Sequence, residues 1–226
     1  MSDFRFVALL DVMGYRDYLD QDNRSGVGRF KNLMENALHS LTTINEGDIQ
    51  YQAISDTLIF SADNGYPLLE FLRAIKSVYW AFMRQGLLLR GGIVLGKHFK
   101  SGHLTYSPAL ALAHELEKNV AIYPRIVLDN IVVQAHQERG TPLDGLVGVH
   151  NDKYFLNIIE NSNWDEAYSI FDLIYKELKT RKNESGIPIS ISESVFLKYW
   201  WFEQYLFSLP FADHTKQSVV GKPEYF

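Results

Sequence analysis

The run Phe6-Val7-Ala8-Leu9-Leu10 is apolar without a break, the pattern of a strand covered on both faces, and it ends at Asp11 just before Gly14. Polar, turn-forming residues fill Asp20 to Gly26 and predict a loop. Val27, Phe30, Leu33, Met34, Ala37, Leu38 and Leu41 then recur on one helical face, which predicts a helix over 27–43. Asn45-Glu46-Gly47-Asp48 turns the chain into two strand-type runs, 49–54 and 57–60, with Ser55-Asp56 at the bend between them. After Asn64-Gly65, Pro67 suits the first turn of a second helix whose stripe is Leu68, Phe71, Leu72, Ile75, Val78, Tyr79 and Phe82. Gln85-Gly86 ends that helix, and residues 87–96 read as a strand whose glycines, Gly91, Gly92 and Gly96, allow close approach.

Strand, helix, strand, strand, helix, strand is the ferredoxin-like order. The expected fold class is therefore α+β: an antiparallel sheet with helices on one face, leaving the other face for a site or a partner. Further on, the pattern predicts a short helix over 108–119, a strand over 124–128, a small helix near 129–138, a hairpin over 146–159 turning at Asn151-Asp152, and helices over 164–182 and 190–207. No internal repeat and no long polar linker appears, which predicts one domain, with a core of about 4–128 and a C-terminal extension of 129–226. The aromatic stretch 196–211 is interrupted by Lys198, Glu203 and Gln204 and is too short to span a bilayer, so it is assigned to core or subunit packing.

Two aspartates stand out against this pattern. Asp11 closes an apolar strand with no basic residue beside it, and a carboxylate near a core is costly unless a cation or hydrogen bonds meet it. Asp56 sits at a hairpin bend, and the two meet if their strands are neighbours. Taken singly, Asp11 reads as a helix cap and Asp56 as a turn residue. Taken together they suit Mg²⁺ or Mn²⁺, which prefer oxygen ligands and leave positions for phosphate oxygens.

Composition narrows the chemistry further. The 226 residues carry 22 Lys and Arg against 27 Asp and Glu, a formal charge of −5, which argues against capture of a nucleic-acid polymer. The absence of cysteine removes disulfides, thiolate metal sites and cysteine nucleophiles. No signal-type segment opens the chain, so a cytoplasmic protein is expected. The seven histidines have no zinc-type spacing, and Lys97 lacks the upstream glycine of a phosphate-binding loop.

In order along the chain, these motifs resemble those of the class III nucleotidyl cyclase family. Asp11-Val12-Met13-Gly14-Tyr15 resembles its first metal motif, Ser55-Asp56 its second metal aspartate, commonly preceded by glycine, and Arg90-Gly91-Gly92-Ile93-Val94-Leu95-Gly96 its Arg-x-Gly-Ile-x-x-Gly strand. The match spans about residues 4–128. With the helix Pro-Ala-Leu-Ala-Leu-Ala-His-Glu-Leu-Glu and the segment Tyr-Pro-Arg-Ile-Val, it looks most like the pyrimidine cyclases of Pycsar antiphage systems, which make cyclic UMP or cyclic CMP for a separate effector.

The resemblance implies that Asp11 and Asp56 ligate two divalent metal ions, Mn²⁺ or Mg²⁺, with the Val12 carbonyl as a further ligand. It implies that the amides of Met13, Gly14 and Tyr15 face the triphosphate of UTP or CTP, and that two chains pair head to tail to build shared sites. It also implies that base choice is read four residues before the second metal aspartate. That residue is Gln52, whose amide both donates and accepts, with Tyr51 beside it to narrow the pocket against purines. Strand alternation puts Tyr51 and Gln52 on opposite faces unless a bulge intervenes. The family Asn and Arg of the short helix are Ala111 and Glu115 here, so either the chain is inactive or another cation substitutes. Arg125 is one candidate for that catalytic role and Arg16 another, while Arg90 reads as structural.

Overall fold

The structure is a computed structural model describing residues 4–41, 47–101, 104–137, 140, 142–143, 145–181 and 190–221. The expected turn at Asn45-Glu46 and the outermost residues of three expected helices, at 42–43, 138 and 182, lie outside the described residues. The chain divides into two compact units, Met1–Ile158 and Ile159–Phe226.

In the first unit the strands β1 (Phe4–Val12), β2 (Ile49–Ile54), β3 (Thr57–Asp63), β4 (Leu89–Lys97), β7 (Ile126–Leu128), β8 (Val147–His150) and β9 (Lys153–Leu156) make one sheet. Its order is β2-β3-β1-β4-β7-β9-β8, and only the β4–β7 pair among these neighbours is parallel. A separate small hairpin is formed by β5 (Phe99–Ser101) and β6 (Leu104–Tyr106). The central strand β1 lies between β3 and β4 and is buried from Phe6 to Leu10, as its unbroken apolar run requires.

The helices follow from their sequence signals with one exception. α2 (Arg29–His39) buries Phe30, Met34 and Ala37, and α3 (Leu68–Arg84) buries a wide stripe from Leu68 to Met83. Phe71 of α3 stacks on Phe6 of β1 at 5.8 Å, which assigns α3 to the face of the sheet carrying Phe6, Ala8 and Leu10. Where a loop is predicted over 20–26, the chain instead forms α1 (Tyr15–Ser25), a helix with no buried residue. It is bounded by Gly14 and Gly26, both left-handed, and tied to α2 by the Asp22 carboxylate, which accepts from the Phe30 amide at 3.0 Å.

The expectation that helices occupy one face is also corrected. α4 (Pro108–Asn119) packs on the opposite face, where Ala109 and Ala113 meet Val7, Leu9 and Val94. A side chain at Gly92 would clash there, since its Cβ would lie 2.7 Å from the Ala113 carbonyl and 3.0 Å from Leu116. Ser107 caps this helix, its hydroxyl accepting from the Leu110 amide at 2.9 Å. α5 (Asn130–Gln137) follows β7, and the β8–β9 turn falls at Asn151-Asp152, both with positive φ, as a two-residue hairpin requires.

The second unit packs α6 (Trp164–Lys179) against α7 (Glu193–Ser208), with Phe171 and Phe202 rings 5.2 Å apart. Glu203, 2% exposed, is satisfied by the Ser218 hydroxyl and the amides of Val219 and Val220. Among the described residues no helix is long and apolar enough to cross a membrane.

Candidate active site

Strand register sets the site. Ile54 of β2 pairs Thr57 of β3, Thr57 pairs Asp11 of β1, and Asp11 pairs Arg90 of β4, so these four side chains form one row on one face. Asp56 is the next residue along, in the turn between β2 and β3. The Val12 amide donates to its carbonyl at 3.1 Å, fastening that turn to the end of β1. The two aspartates singled out by sequence are therefore neighbours in space.

The turn itself is strained. Ser55 has φ 60, a left-handed value that costs a non-glycine residue about 1 kcal/mol. Its hydroxyl donates to the Tyr15 hydroxyl at 2.5 Å, so the turn carrying Asp56 is also tied to the first turn of α1. Tyr15 in turn packs on Phe30 at 5.4 Å.

Burial is the chief reason that the Asp11 carboxyl is raised from 3.8 to about 6. Arg90 pulls it back down, and the charges of Asp56 and Glu117 push it up again. Arg90 holds Asp11 through Nε at 3.2 Å and, through its terminal nitrogen, Glu117 of α4 at 2.7 Å. Glu117 is 3% exposed. Arg90 reads as structural from the sequence, and here it bridges two acids; Glu117 carried no signal in the sequence beyond its place in the matched helix. Long-range ion pairs leave no periodic trace.

The oxygen donors fit a hard divalent cation. Asp11 and Asp56 repel each other, and among the described residues no basic side chain pairs with Asp56. Also among the described residues, no three His, Asp or Glu side chains cluster around one point, which leaves other coordination positions to main chain, water or phosphate. Val12 is buried between these acids, paired with Leu89. The Met13 amide donates to the Leu88 carbonyl at 2.9 Å, so the amides left to meet an anion are those of Gly14 and Tyr15, opening α1.

On the same face as the acid row, a shallow groove is lined by Gln50, Gln52, Ser61, His98, Lys100 and Thr105, among others. Gln52 and Gln50 lie two and four residues from Ile54 along β2, so they face the same side as Asp11. No bulge interrupts the pairing. The Tyr51 ring accordingly stacks on Phe60 at 5.9 Å, on the other face, although Tyr51 also borders the groove.

The Arg125 backbone adjoins the acid row, its carbonyl accepting from the Gly91 amide at 3.1 Å, but its side chain is engaged elsewhere. It is 6% exposed, donates to the Val120 carbonyl at 3.1 Å and lies 3.2 Å from His150 Nδ1, and burial lowers its pKa. Ala111 and Glu115 are exposed on α4, as is His114, and Arg16 is exposed on α1.

No protein-family model matches the chain, and no curated protein matches it. Solved structures do. The guanylyl cyclase Cya2 superposes with a TM-score of 0.50 at 10% identity, over 70% of this chain and 93% of that one. The adenylyl cyclase CyaB from P. aeruginosa gives 0.46 at 14% identity, over 70% and 95%. A bacterial light-regulated adenylyl cyclase gives 0.47 at 14%, over 76% and 97%. The mostly antiparallel sheet with its helices matches the class III cyclase fold.

Proposed function

We propose that this chain, which has the class III cyclase fold, is a metal-dependent pyrimidine nucleotide cyclase converting UTP to 3′,5′-cyclic UMP and diphosphate, with CTP as the alternative substrate. The observation that carries the reading is the joining of the strand end bearing Asp11 to the turn bearing Asp56 by the Val12–Asp56 bond. Two divalent ions, Mg²⁺ or Mn²⁺, held by Asp11, Asp56 and the Val12 carbonyl, would supply charge for an attacking oxygen and for a leaving phosphate. In the reaction the ribose 3′-oxygen forms a bond to the α-phosphorus, the bond from that phosphorus to the β-phosphate oxygen breaks, and the hydroxyl proton passes to solvent. The chain's part is positioning and charge. Gly14 and Tyr15 offer amides to the triphosphate, and Arg90, anchored by Glu117, adds a guanidinium beside Asp11. Gln52 meets the base edge from β2.

The motif resemblance extends the proposal to a homodimer with shared sites, working in the cytoplasm, whose product signals to a separate effector in antiphage defence. A second reading, a domain that binds nucleotide without turning it over, is favoured by one observation. Ala111 and Glu115 stand exposed where the resemblance expects an amide and a cation, and the Arg125 guanidinium is engaged by Val120 and His150.

One experiment separates them. Purified protein is incubated with each nucleoside triphosphate and Mn²⁺, and diphosphate and cyclic product are measured. Cyclic UMP from the wild-type chain, abolished in both Asp11→Asn and Asp56→Asn with unchanged melting behaviour, is the expected result. Binding without product supports the second reading, and a preference for ATP or GTP overturns the pyrimidine assignment.

A further inference from the structure

Gln52 does not choose between uracil and cytosine, because its amide can flip to match either pattern of donor and acceptor. A second groove residue has no such freedom. His98, just past the end of β4, is 6% exposed and lines the groove with Gln50, Gln52, Lys100 and Thr105. Its Nδ1 lies 2.7 Å from the Ser107 hydroxyl oxygen. That oxygen already accepts from the Leu110 amide as the cap of α4, and its proton has no other acceptor among the described residues. The donor count closes when the hydroxyl donates to Nδ1, which leaves the ring proton on Nε2. Burial first, then the charges of Arg5 and Lys100, holds the imidazole below its ordinary pKa and so keeps it neutral. Nε2 has no partner among the described residues, and unlike the Nε2 of His136 it keeps some solvent exposure, on a residue that lines the groove.

We infer that His98 is a specificity-determining residue, whose Nε2–H, fixed by Ser107, donates to the 4-carbonyl of uracil and disfavours the 4-amino group of cytosine. The inference rests on the groove being the nucleobase site of the proposed cyclase. Facing cytosine, the same donor meets another donor, and two buried N–H groups are left unpaired. Lys100, also a pure donor, lines the same groove and adds to the bias toward a carbonyl-rich base.

The test measures binding apart from chemistry, with 3′-deoxy-UTP and 3′-deoxy-CTP, which lack the attacking hydroxyl, titrated calorimetrically in Mn²⁺. The wild-type chain is expected to bind the uridine analogue at least about tenfold more tightly. His98→Asn, whose amide can flip, is expected to bring the ratio close to one while both analogues still bind. Ser107→Ala, checked for folding by its melting curve, is expected to erode the ratio while leaving His98 in place. Nitrogen-15 histidine spectra are expected to show a neutral His98 with its proton on Nε2. A wild-type preference for the cytidine analogue, an unchanged ratio in His98→Asn, or a proton on Nδ1 overturns the inference and leaves the cyclase reading standing. Failure of the wild-type chain to bind either pyrimidine analogue removes that reading first, and the inference falls with it.

Discussion

Arg90 is shared between two carboxylates, and this decides what its loss does. One partner, Glu117, is almost wholly buried, and the other, Asp11, is partly so. Removing the guanidinium leaves both acids crowded in a poorly solvated spot. The loss is smaller than for a fully enclosed pair, because Arg90 keeps 27% of its side-chain surface. Arg90→Ala is expected to lower stability by about 2 kcal/mol in urea unfolding. Because Arg90 holds the Asp11 carboxyl down, the variant should also titrate that group above its value of about 6, as carbon-13 carboxyl spectra will report. His98 gives the pH dependence of folding. Its pKa is depressed in the folded chain, so on acidification the unfolded chain takes up a proton that the folded one resists. Its contribution is intact above the unfolded value of about 6.5 and declines as pH falls through it toward the folded value. Urea midpoints from pH 7.5 to 5.5 should fall more steeply for the wild-type chain than for His98→Asn, by the uptake of up to one proton.

At the scale of elements, the approach of α4 to β4 holds the acid row together, and Gly92 permits it. Gly92→Ala would force a methyl against the Ala113 carbonyl and Leu116, pushing away the helix that carries Glu117. The expected cost is about 1–3 kcal/mol of stability, read by urea unfolding, with a loss of turnover out of proportion to the loss of fold because Arg90 is no longer anchored. Both elements were legible beforehand. α4 begins with a Ser cap and a proline at the first position and has a dense apolar face, and β4 has the glycines of a crowded strand. The strand end at Asp11 and the bend at Asp56 were equally legible as local signals, and their meeting was expected on the condition, supplied by the β1–β3 pairing, that the strands are neighbours. α1 was not. None of its residues is buried, so no apolar period marks it, and its two left-handed glycines look like ordinary turn residues in a polar stretch. The position of α4 on the second face, the Arg90–Glu117 bridge and the His98–Ser107 bond were also hidden. Each depends on which elements pack together, and spacing along one chain does not encode that.

For the whole molecule, the open half of the sheet face raises the matter of what covers it. Ile54 in the acid row is 53% exposed, Phe99 and Tyr106 on the hairpin beside the groove are 47% and 65% exposed, and Leu112 on α4 is 51% exposed. Exposed apolar side chains mark a surface that meets another molecule, and the proposed occupant is a second copy of this chain. A twofold pair makes each face serve both copies, so a site can take its acids from one chain and its base contacts from the other. Gln52 and Asp56 belong to one chain and one strand-turn segment, which makes them a clean pair for testing this. Each of the single variants Gln52→Ala and Asp56→Asn is expected to be weak or dead alone. In an equal mixture, about half of the dimers carry one of each. If acids and base contacts come from opposite chains, one site in such a dimer holds both lesions and the other holds none. Activity should then recover to about a quarter of the wild-type level. If each chain builds its own site, both sites of the mixed dimer are damaged and nothing is regained. Rescue near a quarter, with mixed dimers demonstrated by differently tagged chains, is the expected result, and its absence would assign the complete site to a single chain.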